Sequence, residues 1–163
     1  MALFGYLSNT QTIDFELNTN PELPTRIVIE KANIDVTVVN PESDSIPVLD
    51  ESLKLGAVRH PESGKLGERG SNVFIFGHSS GLPVVINQNY KAFNNLNTVS
   101  KGDIIEVYSE NTKHIYVVES VRLTTADEAF ISFKQSHASR LTLSTCNSFG
   151  AAQERYVVEA IRK

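Results

Sequence analysis

Short runs of alternating apolar and polar residues dominate the chain from residue 26 onward. "RIVIE" (26–30) and "IDVTVV" (34–39) alternate with period two and are rich in β-branched residues, which reads as a pair of strands. Only "KAN" separates them, so a hairpin or tight corner is expected. "PESDSIP" (41–47) has turn chemistry, and "VLDESLKLGAV" predicts one short helix that Gly56 ends. A charged Gly/Ser loop, "RHPESGKLGERGS" (59–71), runs into the apolar strand "NVFIFGH" (72–78). The loop "SSGLPVVINQN" (79–89) follows, and "YKAFNNLNTV" (90–99) is the best short-helix candidate. "IIEVYSE" (104–110) and "IYVVESVRLT" (115–124) predict a second hairpin. Residues 125–139 read as a loop with a helical turn. "RLTLSTC" (140–146) and "RYVVEAIR" (155–162) form a last hairpin-like pair. The pattern predicts a mostly β fold of about eight strands with two or three short helices. Such a density of short strands favours a barrel or sandwich over an α/β fold, which needs regular helices between strands. The polar, Pro-containing lead-in puts an N-terminal arm at residues 1–24, ahead of a single domain at 25–163.

Composition narrows the classes. The chain has 163 residues, 40% of them hydrophobic and 21% charged, enough for one core without staples. Its net charge of −4, with no Lys/Arg run, gives no footprint for nucleic acid. A single cysteine excludes an internal disulfide, and no Cys/His cluster has structural-zinc spacing. Glu62 and Glu68 are scattered carboxylates in a loop, not a calcium loop pattern. No apolar run approaches the ~20 residues of a membrane helix. "MALFGYLS" is too short to span, and it lacks the basic residues and cleavage site of a signal peptide.

Three residues hold comparable places. His78 ends one apolar strand, Cys146 ends another, and Arg155 opens the strand after it. Strand ends beside a rigid sheet are where reactive groups are displayed. A Cys nucleophile needs its thiolate, which a nearby cation favours. A His can supply that cation and later protonate a leaving amine. An Arg offers a charge that does not titrate and a fork of donors for an oxyanion. Taken singly, each has a blander reading. A lone Cys is usually a small buried hydrophobe, a strand-end His a satisfied one, and a strand-opening Arg a solvated charge. Periodicity does not bring the three together in space.

Ordered motifs do more. "TLSTC" (142–146) matches the TLxTC signature of the sortases, and "FIFGHSS" (74–80) resembles the sortase strand that ends in a Gly-His pair. "RIVIEKANIDVTVV" is similar to the family's opening hairpin. "LKLGAVRHPESGKLGERGSNVFIFGH" resembles its run into the histidine strand, and "YKAFNNLNTVSKGDIIEV" its "F..L..L..GD.I.V" segment. Arg155 lies nine residues after Cys146 (155 − 146 = 9), a spacing common in class C and D and pilin-building sortases. The resemblance covers roughly residues 25–162.

It implies an eight-stranded sortase-type β-barrel and a cysteine transpeptidase that needs no cofactor. Such an enzyme cleaves an LPxTG-like sorting signal between Thr and Gly. It holds the acyl group as a thioester and passes it to an amine from cell-wall peptide or a pilin lysine. The implied partners are a surface or pilin protein with a C-terminal sorting signal and the amine acceptor. The implied location is the cell surface, with the membrane reached only through an N-terminal anchor that this chain does not show. Carried over, Cys146 is the nucleophile and His78 the general acid and base. Arg155 positions substrate and stabilises the oxyanion, and Thr145 helps to shape the substrate pocket or supports the strand end. His60 takes a structural role, while His114 and His137 are expected at the surface. The chain departs from the pattern in its long loop after His78, in "NSFGAAQE" after the cysteine, and in an opening turn without Pro. Two other readings stand beside it: a cysteine hydrolase with the same Cys–His pair, and a non-enzymatic β-barrel binding module with a buried Cys146.

Overall fold

The structure, a computed structural model, describes residues 20–125, 131–147 and 154–163, with Cys146 and Asn147 described by backbone alone. Among the described residues eight strands close into a barrel. They are β1 (Arg26–Ile29), β2 (Ile34–Val39), β3 (Ala57–Arg59), β4 (Asn72–Ser79), β5 (Ile104–Tyr108), β6 (Lys113–Thr125), β7 (Arg140–Asn147) and β8 (Glu154–Arg162). Their order around the barrel is β1-β2-β3-β4-β7-β8-β6-β5. The three hairpins expected from alternation form as antiparallel pairs: β1 with β2, β5 with β6, and β7 with β8.

Alternation explains the core. Ile27 and Ile29 of β1, Val73 and Ile75 of β4, Leu141 and Leu143 of β7, and Val158 and Ala160 of β8 all bury their side chains in one cluster. A single three-residue 3-10 turn, Glu30–Ala32, joins β1 to β2. Asn33 closes it at φ 52°, a left-handed conformation that Asn tolerates better than most residues.

Three local features differ from the expectation or add to it. β3 has only three residues, too few to show a period, yet it pairs parallel with β2 and antiparallel with β4. The helix α1 spans Ile46–Leu53 and stops before Gly56. That glycine serves a different purpose, because a Cβ there would sit 2.4 Å from the carbonyl oxygen of Thr37. The 90–99 run gives two short 3-10 turns, Gln88–Lys91 and Leu96–Thr98. Its asparagines bond to main chain: Asn94 to both N–H and C=O of Ser80, and Asn95 to the carbonyl of Ala32. Side chains that satisfy backbone groups elsewhere compete with an α-helical ladder.

His114 corrects the expectation of a surface residue. It is 4% exposed, and its Nε2 lies 2.9 Å from Thr112 Oγ1. β6 is apolar on both faces here, so its pattern did not say which parity points inward; packing chose His114, Tyr116 and Val118. His137 is exposed. Residues 20–24 of the arm are tied down, since Glu22 and Leu66 exchange two backbone hydrogen bonds of 2.9 Å. The rest of the arm, the helical turn expected within 125–139 and most of "NSFGAAQE" fall at least partly outside the described residues. Among the described residues, no helix is long and apolar enough to cross a membrane.

Outside the barrel, α1 packs on β3 and β4. Leu53, Val58 and Phe76 form a small second cluster, joined by Val39, Leu49 and Phe74. On β4 the inward residues Val73, Ile75 and Gly77 therefore alternate with outward Phe74, Phe76 and His78.

Candidate active site

β4 and β7 lie side by side and run parallel, with an unbroken register from Asn72↔Arg140 to Ser79↔Asn147. That register makes His78 and Cys146 direct neighbours. Sixty-eight residues separate the two along the chain (146 − 78 = 68).

β8 flanks β7 on the other side, in the antiparallel register Arg140↔Ile161 to Ser144↔Val157. The pairing with β7 ends there, while Arg155 pairs with Thr124 of β6. The ladder changes character at that point. Instead of a main-chain partner, the N–H of Tyr156 donates to Thr145 Oγ1 at 2.9 Å. Thr145 is buried, so this hydroxyl fixes the entry of β8 and with it the backbone that carries Arg155. The Arg155 side chain is half-buried and makes no hydrogen bond or ion pair with any other described residue, while its main chain pairs with Thr124 of β6. Thr145 and Tyr156 also line a cavity of about 230 Å³ with Ser79, Gly81, Phe93 and Asn97.

His78 is half-buried, and the ring of Tyr90 meets it edge-on at 5.2 Å between centroids. Burial pushes its pKa below the ordinary value, and the Asp50 carboxylate partly offsets this. Nδ1 is buried and has no hydrogen-bond partner among the described residues. An imidazolium would hold an unpaired N–H there, which adds to the cost of the charged form. Neither Tyr90 nor Asp50 was singled out from the sequence. Tyr90 opens the "YKAFNNL" motif, which was the available signal; Asp50 carried none.

The Gly of the Gly-His pair has a local cause. A Cβ on Gly77 would lie 3.0 Å from Phe93 Cδ2. Phe93 is fully buried, and its N–H donates to the carbonyl of His78 at 2.9 Å. Gly77→Ala is thus expected to overpack this contact and to lower stability by about 1–3 kcal/mol in urea unfolding. An unchanged unfolding midpoint and slope would show that Phe93 yields freely and imposes no such constraint.

Two supports sit further down the same face. Thr142 Oγ1 donates to Asn72 Oδ1 at 2.9 Å, tying β7 to β4, while Asn72 Nδ2 reaches the carbonyl of Ser132 at 3.0 Å. His60 packs against Phe74 and Phe133, with ring centroids 6.3 and 5.2 Å away, and the two phenyl rings meet each other at 6.1 Å.

Comparisons with known proteins agree with this architecture. The family model described as the Sortase domain matches residues 27–163. Sortase C-1 from Actinomyces oris is similar in structure with a TM-score of 0.69 and 22% identity, over 91% of this chain and 76% of that one. The lid mutant of sortase A from Corynebacterium diphtheriae gives 0.69 and 19%, over 90% and 73%. A sortase D5 transpeptidase from Clostridium perfringens gives 0.65 and 20%, over 87% and 79%. No curated protein matches the chain. At these identities the solved structures speak for the fold, and the family model speaks for descent. Matched from Ile27 to its last residue, the chain belongs to the sortase family of cysteine transpeptidases.

Proposed function

We propose that residues 25–163 form a catalytic domain that cleaves an LPxTG-like sorting signal between Thr and Gly and joins the Thr carbonyl to an amine. The observation that carries this reading is the parallel register that makes His78 and Cys146 neighbours. The Cys146 thiolate attacks the Thr carbonyl, and Arg155 donates to the oxygen as it gains charge. The tetrahedral adduct collapses with loss of the Gly amine, which takes its proton from the His78 imidazolium. A thioester and a neutral imidazole remain. An incoming amine then attacks, gives its proton to His78 and releases the thiolate, so the starting ion pair is restored. Thr145 serves this cycle through the Tyr156 N–H, by holding the start of β8 in place. The partners are a surface or pilin protein bearing the signal and an amine donor of cell-wall peptide or pilin. The work is done at the cell surface, with the domain held there by an N-terminal anchor.

Product analysis tests the reading. A panel of LPxTG-like peptides is incubated with the enzyme, with and without lysine, diamino-acid and glycine amines, and the products are weighed by mass spectrometry. The expected result is an acyl-enzyme on Cys146 and an amide product when amine is present. Acid product alone, across all amines, would make the enzyme a hydrolase. No cleavage of any peptide, with Cys146 unreactive to small alkylating reagents in the folded protein, would favour the binding module.

A further inference from the structure

We infer that the apolar groove on the far side of His78 from Cys146 is the acceptor site, and that it takes an amine carried on an alkyl stem. This inference rests on the transpeptidase reading above. The groove holds about 680 Å³, within the usual range for a small-ligand site. His78 and Tyr90 form one end of it, and Leu82, Val84, Val85 and Ile86 supply an apolar wall. Asp50 and Lys54 of α1 line the opposite side.

Its position follows from strand order. β4 lies between β3 and β7, and α1 packs against β3. Among the described residues, no lining residue of the groove belongs to β7 or β8. His78 therefore stands between two spaces: the Cys146 strand on one side and this groove on the other. In a double displacement the acyl chain stays on the cysteine while the second substrate arrives. The second substrate must reach the thioester from a side the acyl chain leaves free, with its nitrogen within reach of the base. The groove meets both conditions at once.

Its chemistry selects the amine. Leu82 and Val84 are large apolar residues at 48% and 80% exposure, unusual for a loop with no partner and suited to a methylene chain. Two charges face the groove, and they are not equivalent. Lys54 Nζ is held by Glu51 at 2.6 Å. The Asp50 carboxylate makes no hydrogen bond or ion pair with any other described residue and is close enough to act on His78. The net offer to a ligand is one free carboxylate beside an apolar wall. That complements an ammonium on a flexible stem, the side chain of lysine or of a wall diamino acid, better than the bare amine of an N-terminal glycine. The groove is also built rather than incidental: Asn87 Nδ2 and Asn89 Nδ2 both donate to the carbonyl of Lys54 at 2.9 Å, clamping the loop to the end of α1.

The transfer balances. The ammonium first loses a proton to water, and the free amine attacks the thioester carbon. The new C–N bond forms, the second proton passes to neutral His78, and the C–S bond breaks to give the thiolate.

Partition of the acyl-enzyme tests this without depending on how fast it forms. The ratio of amide to acid product is measured with a lysine peptide, a diamino-acid wall peptide and triglycine, for the parent, Asp50→Asn and Val84→Glu. The expected result is a ratio at least tenfold higher for the alkyl amines than for triglycine. Asp50→Asn should lower the alkyl-amine ratio by about tenfold, and by more than it lowers the triglycine ratio; Val84→Glu should lower the alkyl-amine ratio too. Whichever alkyl amine gives the higher ratio identifies the natural source. Equal ratios for triglycine, or ratios indifferent to both substitutions, overturn the acceptor assignment while leaving the acyl-enzyme standing. Failure to form any acyl-enzyme overturns the transpeptidase reading first, and this inference with it.

Discussion

Cys146→Ala is expected to reduce cleavage of a sorting-signal peptide by ~10⁴-fold or more, and to abolish the covalent adduct seen by mass spectrometry. The size follows from the role. When a nucleophile is removed from an otherwise intact site, the residual rate comes from binding and oxyanion stabilisation alone. No other side chain among the described residues can replace it, because Cys146 is the one cysteine of the chain. Position supports the same expectation: its register partner on β4 is His78. The measurement is peptide cleavage under single-turnover conditions, with circular dichroism to show that the barrel is intact. A folded variant that keeps more than a tenth of the parental rate would remove Cys146 from the mechanism.

His78→Gln is expected to cost ~10²–10⁴-fold, the range for loss of a general acid and base, and to change the pH profile as well. The active form needs the imidazolium and the thiolate together. Burial holds the His78 pKa below its ordinary value, so the imidazolium is lost as pH rises through that depressed value. A thiol of ordinary acidity gains its charge only near pH ~8.5. Between the two, the correctly charged pair is a minority form. In kcat/KM the parent should therefore show a bell with a broad top, whose limbs belong to the pair rather than to either residue. In His78→Gln one partner no longer titrates, and the profile should become a single limb that rises with the thiolate. Two profiles of the same shape would mean that His78 does not carry the proton. The Asp50 charge raises the His78 pKa in part, so Asp50→Asn should also move the acid limb of the bell to lower pH.

Much of the fold was legible because each of its units is local. Alternation in "RIVIE", "IDVTVV" and "IIEVYSE" predicts strands wherever one face is buried, and short polar links between such runs predict hairpins. β3 was not legible, since three residues cannot display a period and its pairing with β2 and β4 is made by distant segments. His114 was misread for a related reason. β6 is apolar on both faces over that stretch, and only closure of the barrel decided which one faces the core.

The site divides in the same way. By itself, the sequence determined the residue types and their strand-end positions: His78 after "NVFIFG", Cys146 after "RLTLST", and Arg155 at the start of "RYVVEAIR". Those follow from chain-local patterns and from the motifs that carry the family resemblance. The tertiary structure alone decided that β4 and β7 are parallel neighbours in a register that pairs His78 with Cys146. It also decided that α1 and the 80–87 loop enclose a groove beside His78, with Asp50 and Tyr90 at its walls. The physical reason is that strand pairing across sixty-eight residues is set by which side chains fill a common core, here Val73, Ile75, Leu141 and Leu143. A shift of either strand by one residue would turn its own two of these outward, and no local pattern records that cost until both strands are packed in the closed barrel.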